Sequence, residues 1–528
     1  MRQGVSVLGV SVAGVAAVLA LAGLAGAAAL GRGREVARAA GQPIGGLGIG
    51  TGGVARLWAD NCAKCHGADG SGGNASSLLD DQWAGPNGSD RALYEAIHDG
   101  QADFGMPGYA ETLRDEEVWA LTVFVRELRQ RAARADQTPP PADGLYASAS
   151  VPFRVESVIG DGKLATPWSV DFLPDGAMLV TEKAGRLRVW RDGALSEPVQ
   201  GTPAVRAAGQ GGLMDVAVHP DYADNGWVYL AFSHGLARGG RSVGMTKLVR
   251  GKIAADGAGA VRWTQEEVVY QAPEETYLAT NLHFGCRIVF DGAGHVLFGI
   301  GERGQMDHAQ ELGRPNGKIH RVREDGSVPN DNPFVGRDGA LGSVWSYGHR
   351  NPQGLVMDAE GRLWDTEHGP RGGDELNLVR RGGNHGWPIV SFGINYTGSP
   401  FRTPWAGTGE VPAQRAAELV LPVTVWTPSV GVCGLDIVRG GARGEAFGAW
   451  RGDFVAGGLS GQSVDRVRLA QAGGEAGGAW SEVEREELIR GLGRVRDVVT
   501  GPEGAVYVVL NGPDSVIRLV PAGLPAGR

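Results

Sequence analysis

At 528 residues the chain has room for more than one domain, and 87 glycines in an otherwise ordinary globular composition favour turn-rich β structure over long helices. The net charge of −9 comes without any block of Lys or Arg, which argues against a nucleic-acid partner. The four cysteines split into a close pair, Cys62 and Cys65, and a distant pair, Cys286 and Cys433.

In chain order, the first element is apolar. From Gly4 to Leu30 the residues are apolar or small, and Ala25-Gly26-Ala27 offers a small-x-small cleavage site. Residues 1–30 read as a secretory signal peptide or, since about 20 apolar residues suffice to span a bilayer, as an uncleaved membrane anchor through residues 4–30. A Gly-rich linker, 31–52, separates this run from a small domain at 53–135 that opens on Asn61-Cys62-Ala63-Lys64-Cys65-His66-Gly67. Two thiols three positions apart can each add to a haem vinyl group while His66 becomes an axial iron ligand, so Cys62, Cys65 and His66 read as a haem c attachment site. Zinc would need four ligands, and no second close cysteine pair exists. Covalent haem attachment takes place outside the cytoplasm, which predicts a periplasmic protein. Further on, Gly105-Met106-Pro107-Gly108 places a methionine in a loop, either as the sixth iron ligand opposite His66 or as a buried gap-filler. The spacing of Val118, Leu121, Val125 and Leu128 predicts a helix over Asp115–Leu128. A Met-Pro loop and then a helix after CxxCH resembles class I cytochrome c. A Pro-rich linker, 136–150, follows.

From 151 to 528 the pattern changes to turns followed by strands of period two. Six phrases recur, starting at Asp171, Val218, Val289, Val356, Phe447 and Thr500. Their average spacing of roughly 65 residues exceeds a minimal blade, and six imperfect repeats predict an all-β six-bladed β-propeller beside a small all-α cytochrome c domain. An eight-bladed propeller and a sandwich remain open on this pattern.

Specific phrases carry more than the periodicity. GQGGLMDVAVHPDY at Gly209, NLHFGCRIVFD at Asn281, GIGERG at Gly299, YGHRNPQGL at Tyr347, TEHGPRGGDELNLV at Thr366, NHGWP at Asn384 and GRVRDVVTGPEG at Gly493 occur in this order. Together they resemble the soluble aldose sugar dehydrogenases of the glucose/sorbosone dehydrogenase family. The resemblance implies a six-bladed propeller carrying pyrroloquinoline quinone (PQQ) and calcium. It implies that His283 is the catalytic base and Glu302 the carboxylate that orients it, although a histidine beside Phe284 also suits a buried core position and Glu302 a surface strand end. Arg350 and Asn351 match the pair that contacts the quinone. Arg494 and Arg496 alternate along one strand and can both face a cofactor with three carboxylates, or form a solvated strand face. Gln210 and Trp426 match further pocket positions, whereas Ser460 stands where some relatives have lysine. The backbone carbonyls of Gly369 and Pro370 match the calcium-holding turn. Asp374 and Glu375 serve a second ion or cap that turn.

The function this implies is a quinohaemoprotein that oxidises an aldose with PQQ and passes electrons to its own haem and then to a downstream acceptor. A related alcohol or aldehyde such as sorbosone is the alternative substrate, and a non-catalytic ligand-binding propeller joined to a cytochrome is the alternative class. An eight-bladed quinohaemoprotein alcohol dehydrogenase is disfavoured because no adjacent Cys-Cys pair occurs. Cys286 and Cys433 stand where relatives usually carry small residues, and form either a disulfide or two separate buried thiols.

Overall fold

The computed structural model describes residues 53–79, 90–135, 141, 143–255, 260–399, 418–440, 447–474 and 478–522. The signal or anchor reading of residues 1–30 lies outside them, and among the described residues no helix is long and apolar enough to cross a membrane. The described residues fall into two compact units, one running from 53 to 129 with 397–399 and 418–419 added, the other from 130 to 396 and from 420 to 522.

The smaller unit is helical. Its helices are α1 (Val54–Asn61), α2 (Ala63–His66), α3 (Asp90–His98) and α4 (Asp115–Ala135). The apolar stripe expected on α4 is buried, from Val118 at 0% exposure to Leu128 at 6%. The helix outruns the expected end at Leu128 because RQRAARA is built of strong helix formers that need no apolar face. Asp115, Glu116 and Glu117 in its first turn suit the positive end of the helix dipole. Trp58 of α1 is buried against Phe124, with ring centres 5.7 Å apart, and its Nε1 donates to Ala68 O at 3.1 Å just past the CxxCH turn.

The larger unit is a propeller of six sheets. The innermost strands of blades 1 to 5 are Pro167–Phe172, Leu213–Val218, Ile288–Phe290, Pro352–Met357 and Val432–Ile437, and each opens a four-stranded antiparallel blade. Blade 6 begins with Arg494–Thr500 and is completed by the first strands of the propeller, since Phe153–Ile159 pairs with Ser515–Pro521 and Leu145–Tyr146 adds a fifth strand. The propeller therefore begins inside the segment read as linker 136–150. Pairing the first strand with the last leaves no open sheet edge at the junction. Each of the six recurring phrases falls on the hairpin between the innermost and second strand of one blade. Second strands such as Met178–Glu182, Leu363–Glu367 and Val506–Asn511 are buried throughout, as expected of strands packed between neighbouring blades on both faces.

Carboxylates join the blades near the axis. Asp171 accepts from Val218 N at 2.6 Å, Asp215 from Ile288 N at 2.8 Å, Asp374 from Val432 N at 2.9 Å, Asp436 from Thr500 N at 2.6 Å and Asp497 from Val170 N at 3.3 Å. Each bond crosses from one blade to the next. Arg287 sits at the centre of this arrangement. It pairs with Asp215 at 2.8 Å and Asp497 at 2.9 Å and donates to Gln353 O and Arg496 O, both at 2.8 Å. Burial opposes its charge, yet Asp497 and Asp215 outweigh that and raise its pKa above the ordinary value. Replacing Arg287 by Met leaves two buried carboxylates without their cation, so stability should fall by about 3–5 kcal/mol. The urea unfolding midpoint of the propeller transition measures this, and an unchanged midpoint would contradict it.

Candidate active site at the propeller mouth

The strand register decides which residues meet. Pro167 pairs with Glu182, Ile288 with Phe298, Pro352 with Glu367, Val432 with Gly458 and Arg494 with Asn511. The start of each innermost strand thus lies beside the end of the second strand, and the segments entering the former and leaving the latter gather at one rim. Gln210, His283, Arg350 and Asn351 lie on segments that enter innermost strands, whereas Lys183, Glu302, His368 and Ser460 lie on turns that leave second strands.

His283 is 7% exposed and takes a left-handed backbone, φ +50°, which is uncommon for a residue with a side chain and persists only where the surroundings hold it. Its backbone N donates to Gln210 Oε1 at 2.7 Å, and Gln210 N in turn donates to Asn281 O at 2.9 Å. Gly285 N donates to Asn351 Oδ1 at 3.1 Å. A Cβ on Gly301 would stand 2.4 Å from His283 O and 2.7 Å from Asn351 Oδ1, so only glycine lets blade 3 pass this close to the loop. His283 Nδ1 is hydrogen-bonded to Glu302 Oε1. Burial lowers the imidazole pKa, Glu302 pulls it back up, and Arg350 lowers it again; the balance lies below the ordinary value, so His283 is neutral near pH 7. Burial disfavours the Glu302 anion, but His283 and Arg350 outweigh it and hold the carboxyl below its usual range. An ionised Glu302 only accepts, so Nδ1 carries the proton and Nε2 is the free base.

Arg350 and Asn351 are fixed from beneath by Glu367, whose Oε2 accepts from their backbone N atoms at 2.5 and 3.3 Å. The Arg350 guanidinium donates to His368 O at 3.1 Å and Tyr396 Oη at 3.2 Å and lies 5.1 Å from the Trp387 ring, while its Nε is buried without a hydrogen-bond partner. His368 Nε2 is likewise buried and unpartnered, and burial, with Arg350 and His283 nearby, drives its pKa well below the usual value. Arg496 falls at a register shift between Val495 and Asp497 and stacks 4.0 Å over Trp168. Burial, offset in part by Cys433, lowers its pKa, and Arg494 adds to the lowering as a like charge close by. Lys183 adds another cation: burial and then Arg496 lower its pKa, and it donates to Gly209 O at 2.6 Å.

One expectation shifts, and one open alternative closes. Trp426 is 3% exposed in the core between blades 4 and 5, its Nε1 donates to Asp465 at 2.7 Å and Arg485 stacks 4.4 Å from its ring, so the indole beside Arg350 is Trp387 instead. Cys286 and Cys433 are separate buried thiols. Cys433 Sγ donates to Arg496 O at 3.0 Å, and burial drives the Cys286 thiol well above its ordinary pKa.

For a metal ion, Gly369 and Pro370 form a buried turn in which Gly369 N is capped by Asp374 Oδ1 at 2.9 Å. Asp374 also accepts from Ser429 Oγ at 2.7 Å and Val432 N, so it caps the turn. Beneath it His349, Asp365 and Glu367 are buried and offer ligand atoms within 4.8 Å of one another. Glu367, His368, Trp387 and Tyr396 were not singled out from sequence. Glu367 and His368 lie inside the TEHGP phrase, so their signal was present; Lys183 follows the first blade phrase and carried none.

In the helical unit, Cys65 N and His66 N both donate to Cys62 O, at 3.1 and 3.0 Å, so both thiols and the imidazole share one helical turn. Burial pushes the Cys62 thiol up to about 12, with Cys65 adding to it. Met106 is held by reciprocal backbone bonds with Gln101, at 2.9 and 3.1 Å, around a turn that places Gly105 at φ +76°.

The mouth gathers a neutral imidazole, its carboxylate and several cations, a set suited to taking a proton and stabilising developing negative charge. The Glucose / Sorbosone dehydrogenase model matches residues 164–518, and the chain belongs to that family. Residues 53–125 match the model for cytochrome c oxidase, cbb3-type, subunit III. The chain is 38% identical over 366 residues to aldose sugar dehydrogenase YliI of Escherichia coli (strain K12), covering 68% of this chain and 91% of that protein. The apo crystal structure of the soluble E. coli aldose sugar dehydrogenase aligns with TM-score 0.59 and 35% identity over 70% of this chain and 99% of that one. The PQQ-bound aldose sugar dehydrogenase of Streptomyces coelicolor aligns with TM-score 0.52 and 25% identity over 70% and 98%.

Replacing Met106 by Ala should abolish the weak near-infrared charge-transfer band of methionine-ligated haem and lower the reduction potential, with haem still attached through Cys62 and Cys65. An unchanged band and potential would exclude Met106 as the ligand.

Proposed function

We propose that the protein is a quinohaemoprotein in which the propeller oxidises the C1 hydroxyl of an aldose sugar to the lactone and the N-terminal c-type cytochrome takes the electrons one at a time. The observation that carries this reading is the buried His283–Glu302 pair beside a cluster of cations, in a chain of the glucose/sorbosone dehydrogenase family. The residues fit PQQ, a planar molecule with three carboxylates. Arg350 and His368 each present a buried nitrogen without a partner, and Arg494, Arg496 and Lys183 supply positive charge. When bound, PQQ supplies the hydride acceptor, and calcium on the Gly369 and Pro370 carbonyls supplies a Lewis acid.

The chain's own residues handle the proton and the charge. With its Nδ1 proton held on Glu302, His283 uses Nε2 to take the proton of the sugar hydroxyl, and ionised Glu302 stabilises the resulting imidazolium. Arg350, fixed by Glu367 and stacked near Trp387, stabilises negative charge that develops beside it. Gln210 and Asn351 hold the His283 loop from two sides. A haem tethered in the same chain keeps a high effective concentration as acceptor, and a downstream redox partner carries the electrons onward. Haem attachment outside the cytoplasm supports a periplasmic location, with residues 1–30 as signal or anchor.

The His283→Ala variant tests this reading. Sugar oxidation should fall about 10²-fold or more while PQQ affinity and the haem spectrum stay as in the wild type. Near-normal turnover would overturn the assignment of the base.

A further inference from the structure

Arg303 follows Glu302 directly and is 0% exposed, yet among the described residues it makes no ion pair. Burying a guanidinium without a carboxylate is unfavourable unless its donors are otherwise satisfied, so the bonds it does make identify what it is for. Nε donates to Leu282 O at 2.8 Å, Nη1 to Gly244 O at 2.6 Å and Nη2 to Thr280 O at 2.6 Å, while Thr280 Oγ1 returns a bond to Arg303 O at 2.6 Å. The guanidinium also stacks 3.5 Å from the centre of the Phe284 ring. Thr280, Leu282 and Phe284 bracket His283, and Gly244 belongs to a strand of blade 2, so one side chain ties the base loop to both blades that flank it.

We propose that Arg303 is a positioning residue for sugar oxidation: its forked guanidinium fixes the backbone on both sides of His283 and keeps a cation close to the imidazole. The proposal rests on His283 being the base. Two features of the site call for such a clamp. His283 and Arg303 both hold left-handed backbones, at φ +50° and +63°, which the surroundings must impose. A base loop displaced by 1 Å costs about 10²-fold in rate even when fold and cofactor binding are intact. The charge matters as well. Burial comes first in lowering the pKa of His283; Glu302 opposes this, and Arg350 and Arg303 act in the same direction as burial. His368, the other titrating group that senses His283, is itself driven well below its usual pKa by burial and stays neutral. Burial, with Arg206 alongside, lowers Arg303 itself to about 9, so it remains a cation at neutral pH. Loss of that cation raises the His283 pKa. A base that works in its neutral form then loses activity at a higher pH, so the acid limb of kcat/KM moves upward.

Lysine and methionine substitutions separate the two roles. Arg303→Lys keeps the charge but cannot make the three diverging bonds, whereas Arg303→Met loses both. With PQQ affinity measured by direct titration and rates expressed per PQQ-loaded site, both variants should lose about 10²-fold in kcat with little change in the KM for sugar. The acid limb should move to higher pH in Arg303→Met and stay in place in Arg303→Lys. Wild-type kcat per loaded site in either variant, with the loss confined to the number of loaded or folded sites, would overturn the proposal and leave Arg303 a residue of the fold alone. If Arg303→Met does not fold, the kcat per loaded site of Arg303→Lys decides. Failure of the underlying reading is distinct, because it appears as near-normal turnover in His283→Ala.

Discussion

Arg287 is the interaction on which the propeller's centre depends. Six blades meeting at an axis bring their innermost strands together, and this chain places buried carboxylates there to join one blade to the next. Burial raises Asp171 and Asp497 to about 7, because their anions are unfavourable in that setting. Arg287 answers two of these carboxylates at once and uses its remaining donors on backbone carbonyls of blades 4 and 6. Such a group is felt most when it is broken: hydrophobic replacement of a complete buried ion network is often neutral, whereas removal of one partner is severe.

The mouth inherits its geometry from that centre. Arg287 lies four residues after His283, and the carbonyl that its Nη2 reaches belongs to Arg496, one of the cations expected at the cofactor. Between the axis and the mouth the chain accepts local strain, with Cys286 at φ +123° and His283 at +50°. The loop keeps this shape because Gln210, Asn351 and Arg303 hold it from separate blades and because Gly301 leaves room for it.

What could be read from sequence divides by distance along the chain. The CxxCH turn was legible because its chemistry lies within five residues, and the blade number was legible because each blade repeats a local turn and strand. The motif phrases drew attention to His283, Glu302 and the Arg350-Asn351 pair, which the register brings to one rim. The closing strand was hidden, since Phe153–Ile159 finds its partner more than 350 positions away. Trp426 is a different case. A matching position does not say where a ring points, and here Asp465 draws the indole into the blade core. The support of the site by Lys183 and Arg303 depends on backbone atoms of distant residues, for which composition and spacing carry no signal. The thiols of Cys286 and Cys433 likewise follow what packs against them, not their position near the mouth.

The central claim is that sugar oxidation in the propeller delivers electrons to the haem of the same chain. Anaerobic stopped-flow spectroscopy of the protein loaded with PQQ and calcium, mixed with an aldose and no other acceptor, tests it most directly. The account predicts reduction of the haem α band at a rate independent of protein concentration, as an intramolecular transfer requires. A haem that stays oxidised while the same sample oxidises the sugar with an added artificial acceptor would contradict it.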